Sequence, residues 1–122
     1  MNRMLIAAAL ATTISSVAAA QAVPITLSEW KVDMGRDTVQ AGAVTFRVKN
    51  QGKMVHMFHV EGQGLNKETR EIQAGQISSL TLTLKPGTYE VYCPMSDLSH
   101  KKAGMTKTLT VVGEAAPAPK KP

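Results

Sequence analysis

Apolar and polar residues alternate with a period of two along several short segments of the chain. This spacing, in segments rich in Val, Thr and Tyr, is typical of β-strands that bury one face. The clearest apolar positions are Val44, Phe46 and Val48; Leu80, Leu82 and Leu84; Tyr89, Val91 and Cys93; and Leu109 and Val111. Another strand is predicted over 25–32, where the alternation slips at Glu29–Trp30 and indicates a β-bulge.

Turn signals separate the predicted strands at short intervals. They are Ala41-Gly42, Asn50-Gln51-Gly52, Ala74-Gly75 and Lys85-Pro86-Gly87-Thr88. Only 64–73 could hold a helical turn. Short strands at this spacing predict an all-β fold, either a sandwich or a barrel.

The first 22 residues have the layout of a secretory signal peptide. Met1-Asn2-Arg3 precedes an uncharged, mostly apolar stretch, and Ala20-Gln21-Ala22 then provides a small-x-small cleavage site. Ala18-Ala19-Ala20 is a second possible site, so the mature chain begins at Val23 or at Gln21. The alternative is a retained anchor, but Ala, Thr and Ser dilute the stretch and make it a poor membrane span. We therefore expect a periplasmic protein without a stable membrane anchor.

The remaining chain is long enough for one small domain, predicted over 23–112. Residues 113–122, rich in Ala, Pro and Lys, are predicted to form a disordered tail. Aromatic residues make up only 4% of the sequence, so the core must be mainly aliphatic. The formal net charge of +5 falls by one when Arg3 is removed. This modest excess favours acidic protein partners or anionic lipid surfaces, and no nucleic acid partner is expected.

Cys93 is the only cysteine of the chain. Exported domains usually pair their cysteines, and a single one cannot form an internal disulfide. Cys93 is therefore an inert buried thiol, an intermolecular link, a reactive thiol or a metal ligand. Burial or coordination would protect it from oxidation. Its place at the end of a predicted strand, on the face of Tyr89 and Val91, lets it be buried and still reach the rim of the fold.

Histidines and a methionine occur where they can meet this sulfur. His56 shares a strand face with Phe58, which we expect to point into the core. His100 and Met105 follow Cys93 in one loop. Two imidazoles, one thiolate and one thioether suit copper in both oxidation states, and a His₂Cys set with a weak axial Met is typical of blue-copper electron-transfer sites.

The chain resembles the cupredoxins, the family of plastocyanin and azurin, over most of the mature domain. The resemblance lies in "VKNQGKMVHMFHV", "KPGTYEVYC" and "SHKKAGMTKTLTV". It implies a Greek-key β-sandwich of about seven or eight strands and one copper ion per chain. Carried over by position, the strong ligands would be His56, Cys93 and His100, and Met105 would be the axial ligand.

Two features depart from the familiar members of that family. Six residues separate Cys93 from His100, which is a longer spacing, and they include Asp97, either a solvated turn residue or an extra oxygen donor. Met57 stands where an Asn usually follows the first His, so a side-chain tie between the ligand segments is missing. The backbone N–H of Met57 is still expected to approach the sulfur of Cys93.

Several neighbouring residues have a structural and a functional interpretation. On alternation, His59 is expected at the surface or rim rather than among the ligands. Met54, Met57 and Met95 either pack or form a soft rim for handing over Cu(I). The lysines near the ligand loops, Lys53, Lys101, Lys102 and Lys107, form either a solvated face or a docking rim for an acidic partner.

The favoured function is that of a periplasmic one-electron carrier, a monomer that docks transiently with redox partner proteins. A copper carrier or resistance protein, acting with copper-handling proteins, is the main alternative. A metal-free interaction module is a third. An enzyme is not expected, because four protein ligands leave little room for a substrate; without Met105 as a ligand, an open position would return.

Overall fold

The computed structural model of this chain describes residues 21–113, which fold almost entirely into strands. In these residues there are nine strands and one short helix. In chain order they are β1 Gln21–Ser28, β2 Lys31–Met34, β3 Thr38–Gln40, β4 Gly42–Asn50, β5 His59–Gly62, β6 Leu65–Glu68, β7 Ile77–Leu84, β8 Gly87–Tyr92, α1 Ser99–Lys102 and β9 Thr106–Val112.

The strands form two sheets that pack face to face. One sheet has the order β2-β1-β4-β7 and the other has the order β3-β9-β8-β5-β6. The pairs β1–β4 and β3–β9 are parallel, and the other pairs are antiparallel. The predicted all-β sandwich is confirmed. Short edge strands of three or four residues, β2, β3 and β6, bring the number to nine instead of seven or eight.

Alternation along the strands builds the core between the sheets. In β4, Val44, Phe46 and Val48 are fully buried, and the residues between them are more exposed. The ring of Phe46 packs against that of Phe58, which directly precedes β5 of the other sheet. The two ring centroids are 5.2 Å apart. The other apolar side chains of the core are mostly aliphatic. Burying such side chains is the main favourable term in folding.

The break in alternation at 29–30 is a hairpin turn and not the predicted bulge. β1 ends at Ser28, which pairs with Lys31 of β2. Glu29 and Trp30 form the two-residue turn, and Trp30 takes a φ of 65°, in the left-handed region. A bulge would have left β1 continuous; the turn instead reverses the chain and presents Glu29 and Trp30 at one end of the sandwich.

The helical turn considered for 64–73 is also absent, because β6 occupies its first half and Ile72 bridges His56. A helix occurs instead at Ser99–Lys102, between Cys93 and Met105. Because it is only one turn long, the sequence has no helical periodicity that would predict it.

The chain termini lie partly outside the described residues. Residues 1–20 of the predicted signal peptide and 114–122 of the predicted tail are outside them. Gln21 and Ala22, the last two residues of the predicted signal, are within β1 and pair with Val44 and Thr45. Within 21–113, no helix is long and apolar enough to span a membrane.

Candidate metal centre

Cys93 lies directly after β8, on the same inward face as Tyr89 and Val91. It is fully buried and forms no disulfide. Its backbone N–H donates to the carbonyl of Met105, 3.1 Å away, which holds the start and the end of the ligand loop together. The thiol therefore lies at the end of an interior strand, at the rim of the fold, as expected from the strand pattern.

His56 comes from the irregular segment between β4 and β5. Its backbone exchanges two hydrogen bonds with Ile72, at 3.1 and 2.8 Å, and its side chain is fully buried. The buried Asn50 supports this arrangement, because its amide donates to the carbonyls of Met54 and Ile72, each at 2.8 Å. Phe58 is buried as well, so the expectation that both side chains point inward is confirmed.

His100 is carried by α1, and only 3% of its surface is exposed. The preceding residues Ser96, Asp97 and Leu98 all have positive φ angles, between 53° and 66°. This tight turn folds the long segment after Cys93 back on itself. The backbone N–H of Met105 then donates to the carbonyl of His100 at 3.1 Å.

Three donor atoms converge in the space between these segments. Nδ1 of His56 lies 3.2 Å from Nδ1 of His100, and Sγ of Cys93 lies 3.8 and 3.7 Å from the same two nitrogens. A metal bound at about 2 Å from nitrogen and about 2.3 Å from sulfur requires separations of this size. Among the His, Cys, Asp and Glu residues of 21–113, this is the group placed to hold a metal ion, and Asp97 is not part of it.

The fourth predicted ligand, Met105, is fully buried beside the same segments. Its backbone is hydrogen-bonded to the backbones of both Cys93 and His100, so it cannot move independently of them. A soft sulfur, two imidazoles and a thioether fit one copper ion. Ligation by these four residues stays a prediction.

Burial controls the protonation of the site. It raises the pKa of the Cys93 thiol, although backbone N–H groups of Met57 and Met95 oppose the shift. Burial, and then the charge of His100, lower the pKa of His56. The N–H of Met57 donates to Sγ at 3.4 Å, as predicted from the sequence. In the metal-free protein burial therefore favours a neutral thiol at Cys93 and a neutral imidazole at His56, and a bound cation must displace the thiol proton.

The β1–β2 turn contributes two residues that the sequence analysis did not assign to the site. Oε1 of Glu29 lies 3.5 Å from Nε2 of His56, and it accepts the backbone N–H groups of Lys53 and Met54 at 2.6 and 2.8 Å. These hydrogen bonds, of which the one from Met54 has the largest effect, lower the pKa of Glu29 to about 2. The indole of Trp30 contacts His100 edge to face, with centroids 5.1 Å apart. The slip in alternation was the available signal.

Residues with two interpretations now have definite contacts. Nδ1 of His59 pairs with Glu68 at 2.9 Å, and its ring stacks on Tyr92, so His59 lies outside the donor group. Lys101 pairs with Glu90 and covers the Tyr92 ring. Met95 packs against the core, whereas Met54 is 43% exposed.

Solved structures share this architecture. Auracyanin from Roseiflexus castenholzii superposes with a TM-score of 0.65 at 19% identity, over 78% of this chain and 99% of its own. Auracyanin A from Chloroflexus aurantiacus gives 0.58 at 21%, over 73% and 99%. A multicopper oxidase gives 0.60 at 18% identity, over 74% of this chain but only 41% of the oxidase. These likenesses establish the fold.

Sequence comparison identifies the family. No curated protein matches the chain. The family model described as "Cupredoxin-like domain" matches residues 3–106, which include all of the residues that converge at the site. The chain therefore belongs to the cupredoxin-like domain family.

Proposed function

We propose that this protein is an exported mononuclear copper protein that carries single electrons. Its ligands are Nδ1 of His56 and His100, Sγ of Cys93 and the thioether of Met105. The observation that carries the proposal is the buried triangle of two nitrogens and one sulfur, drawn from two separate segments of the chain.

A bound copper ion supplies the one-electron change, and the chain's own residues keep the surroundings the same before and after it. The bridge between His56 and Ile72 and the bonds from Met105 to both Cys93 and His100 fix the backbone of the ligand segments. Burial excludes water from all three donor side chains. A preorganised, dry site needs little rearrangement when its charge changes. No catalytic acid or base is required.

The exposed side chains near the site suit brief contacts with a redox partner. Trp30, which covers His100, is 45% exposed, and Leu98 and Met54 are exposed to similar extents. Because Trp30 lies over His100, an electron that leaves by this end passes this aromatic contact. Lys53 and Lys102 are exposed as well, and they favour an acidic partner through the association rate.

The relatives in structure support the same role. Auracyanin A is described as a "blue" copper protein, and amicyanin has been solved in its reduced Cu(I) form, with 23% identity and a TM-score of 0.56 to this chain. A copper-delivery role is the second candidate, and the exposed Met54 beside the His56 segment favours it. Reversible, partner-linked loss of copper distinguishes delivery from electron transfer.

Export to the periplasm is part of the proposal. It is supported by the signal-like layout of the first 22 residues and by a buried thiol that is protected from oxidation. In this setting the protein meets its redox partners transiently, as a monomer with one copper ion per chain.

The first test is addition of Cu(II) to the purified mature protein. We expect one equivalent to bind and to produce an intense visible band from the bond between thiolate and copper. Cys93→Ser should abolish the band, because the hydroxyl cannot replace the thiolate. His56→Gln should weaken or shift it.

The matched control is His59→Gln. His59 is the one histidine of the three in the chain that is not a proposed ligand. This ring lies outside the donor triangle, so the band should persist with its wild-type intensity. A wild-type protein that takes up no copper, or a band that survives Cys93→Ser, would refute the proposed site.

A further inference from the structure

Glu29 lies in the β1–β2 turn, far in sequence from every proposed ligand, and its carboxylate is held in one position. Oε1 accepts the N–H of Lys53 at 2.6 Å and the N–H of Met54 at 2.8 Å. Gly52 leaves the space for it, because a Cβ at that residue would lie 2.6 Å from Oε1. The carboxylate is thus fixed by the backbone of the segment that carries His56.

The ring N–H of His56 requires a hydrogen-bond acceptor on the side of the ring that faces Glu29. Its Nδ1 points at Cys93 and His100, and a nitrogen that binds a metal must offer its lone pair there. The proton of the neutral ring then belongs on Nε2. Nε2 is buried and has no hydrogen-bond partner within residues 21–113. A buried N–H without an acceptor is costly.

The acceptor that faces Nε2 is the fixed oxygen of Glu29. The separation of 3.5 Å lies within ion-pair range but exceeds the roughly 2.7–3.2 Å of an N–H···O hydrogen bond. A small tilt of the imidazole towards Glu29 would bring the two atoms within this range. Histidine ligands in metalloproteins commonly donate their second N–H to a carboxylate in this way, which fixes the tautomer and increases the basicity of the ligand nitrogen.

We propose that Glu29 is a positioning residue of the metal site: it accepts Nε2–H of His56, holds Nδ1 bare for the metal, and favours the more highly charged Cu(II). The copper part of this inference rests on the proposed function, whereas the tautomer part concerns the metal-free protein. The turn between β1 and β2 thereby contributes a residue to the metal site.

The principal test is Glu29→Gln. The amide oxygen can occupy the place of Oε1 and keep the bonds from Lys53 and Met54, so mainly the charge is lost. We expect Cu(II) affinity to fall by about 10–100-fold, with a smaller loss for Cu(I). The reduction potential should therefore rise, by about 59 mV for each tenfold change in the ratio of the two affinities. The control, Glu71→Gln, removes the same charge from an exposed residue and should leave the potential unchanged.

The second test needs no metal. Nitrogen NMR of the metal-free protein at neutral pH should show His56 with Nε2 protonated and Nδ1 bare. Gly52→Ala, whose Cβ displaces the carboxylate without changing it, should produce a mixture of the two tautomers. The same variant should raise the potential of the copper-loaded protein, as Glu29→Gln does.

These readouts separate the two proposals. Suppose that the wild type binds copper through Cys93 but Glu29→Gln keeps the wild-type copper affinity and reduction potential. The proposed role of Glu29 is then wrong, and the proposed electron-carrier function is unaffected. A metal-free wild type with the proton on Nδ1 of His56 also overturns the role of Glu29. If the wild type takes up no copper, the electron carrier is wrong, and the tautomer still decides whether Glu29 positions the ring.

Discussion

Among the four proposed ligands, Met105 is the residue whose side chain could serve packing alone. Its full burial suits either a core residue or an axial ligand. His56 and His100, in contrast, place polar ring nitrogens in an apolar interior, where they gain most from a shared cation. The distinction matters because the axial ligand tunes the potential of such sites.

Met105→Leu should keep copper bound and raise the reduction potential. Leucine has nearly the same volume, so the fold should lose less than about 1.5 kcal/mol. Loss of the weak axial donor leaves three ligands, and this lower coordination number favours Cu(I) over Cu(II). Cyclic voltammetry and the visible spectrum measure the change, and Met95→Leu, in a residue that packs against the core, is the control. A potential and a spectrum identical to those of the wild type would remove Met105 from the ligand set.

Single side chains also determine the chemistry around the ligands. The fixed carboxylate of Glu29 and the indole of Trp30 contact one imidazole each. Gly104 allows the ligand loop to approach this turn, because a Cβ there would lie 2.8 Å from the carbonyl oxygen of Trp30. One two-residue turn thus meets both histidines of the site.

At the scale of elements, the ligand-bearing segments are irregular but are tied to regular strands. The segment that carries His56 has one isolated bridge, to Ile72, and Asn50 at the end of β4 holds it in place. The Oδ1 of Asn50 also accepts the N–H of Gly52 at 2.9 Å. A single buried amide thus replaces much of the hydrogen bonding that a strand would have provided.

Asn50→Ala should destabilise the fold and loosen His56 together. It leaves the carbonyl of Met54 and the N–H of Gly52 without their side-chain partner, whereas the carbonyl of Ile72 keeps the N–H of His56. An unsatisfied buried group costs about 1–3 kcal/mol. Urea unfolding of the metal-free protein measures the loss. Gln51→Ala, at the exposed neighbour, is the control and should change the free energy of unfolding by less than about 0.5 kcal/mol. Equal stability of the two variants would show that the Asn50 bonds contribute nothing.

At the scale of the whole molecule, the sandwich positions the site by bringing together loops from both of its sheets. Cys93 follows β8 of one sheet, whereas Glu29 and Trp30 follow β1 of the other. The packed core between the sheets sets the distance between these loops. Interiors of this density resist compression, so the donor triangle is held by the whole fold.

The start of β1 leads to a prediction about processing. The side chain of Gln21 makes two hydrogen bonds with the backbone of Gln40, at 2.7 and 2.9 Å, and its backbone is in register with Val44. Cleavage before Val23 would discard these contacts, whereas cleavage before Gln21 would keep them. We expect the intact mass of the exported protein to correspond to a start at Gln21. A mass corresponding to Val23 would show that the first two paired residues of β1 are dispensable.

Much of the fold was predictable because the apolar period of a strand is local. The alternation at Val44–Val48 and Leu109–Val111 predicted parts of β4 and β9 correctly. The same pattern, with the motif around Cys93 and His100, indicated donors that the structure brings together, and ligation by Met105 stays a prediction. These residues are close in sequence, and their chemical types restrict the metals they suit.

Only the tertiary structure decided the contacts that cross from one sheet to the other. A slip in alternation does not distinguish a bulge from a hairpin turn, and the choice depends on pairing between β1 and β2. The contact of Glu29 with His56 joins residues 27 positions apart, and no local pattern encodes such a meeting. The amino-acid sequence by itself determined the strand pattern and the donor types. Packing of the two sheets decided which atoms meet and how the donors are oriented, because side-chain contacts between distant segments form only when the core closes.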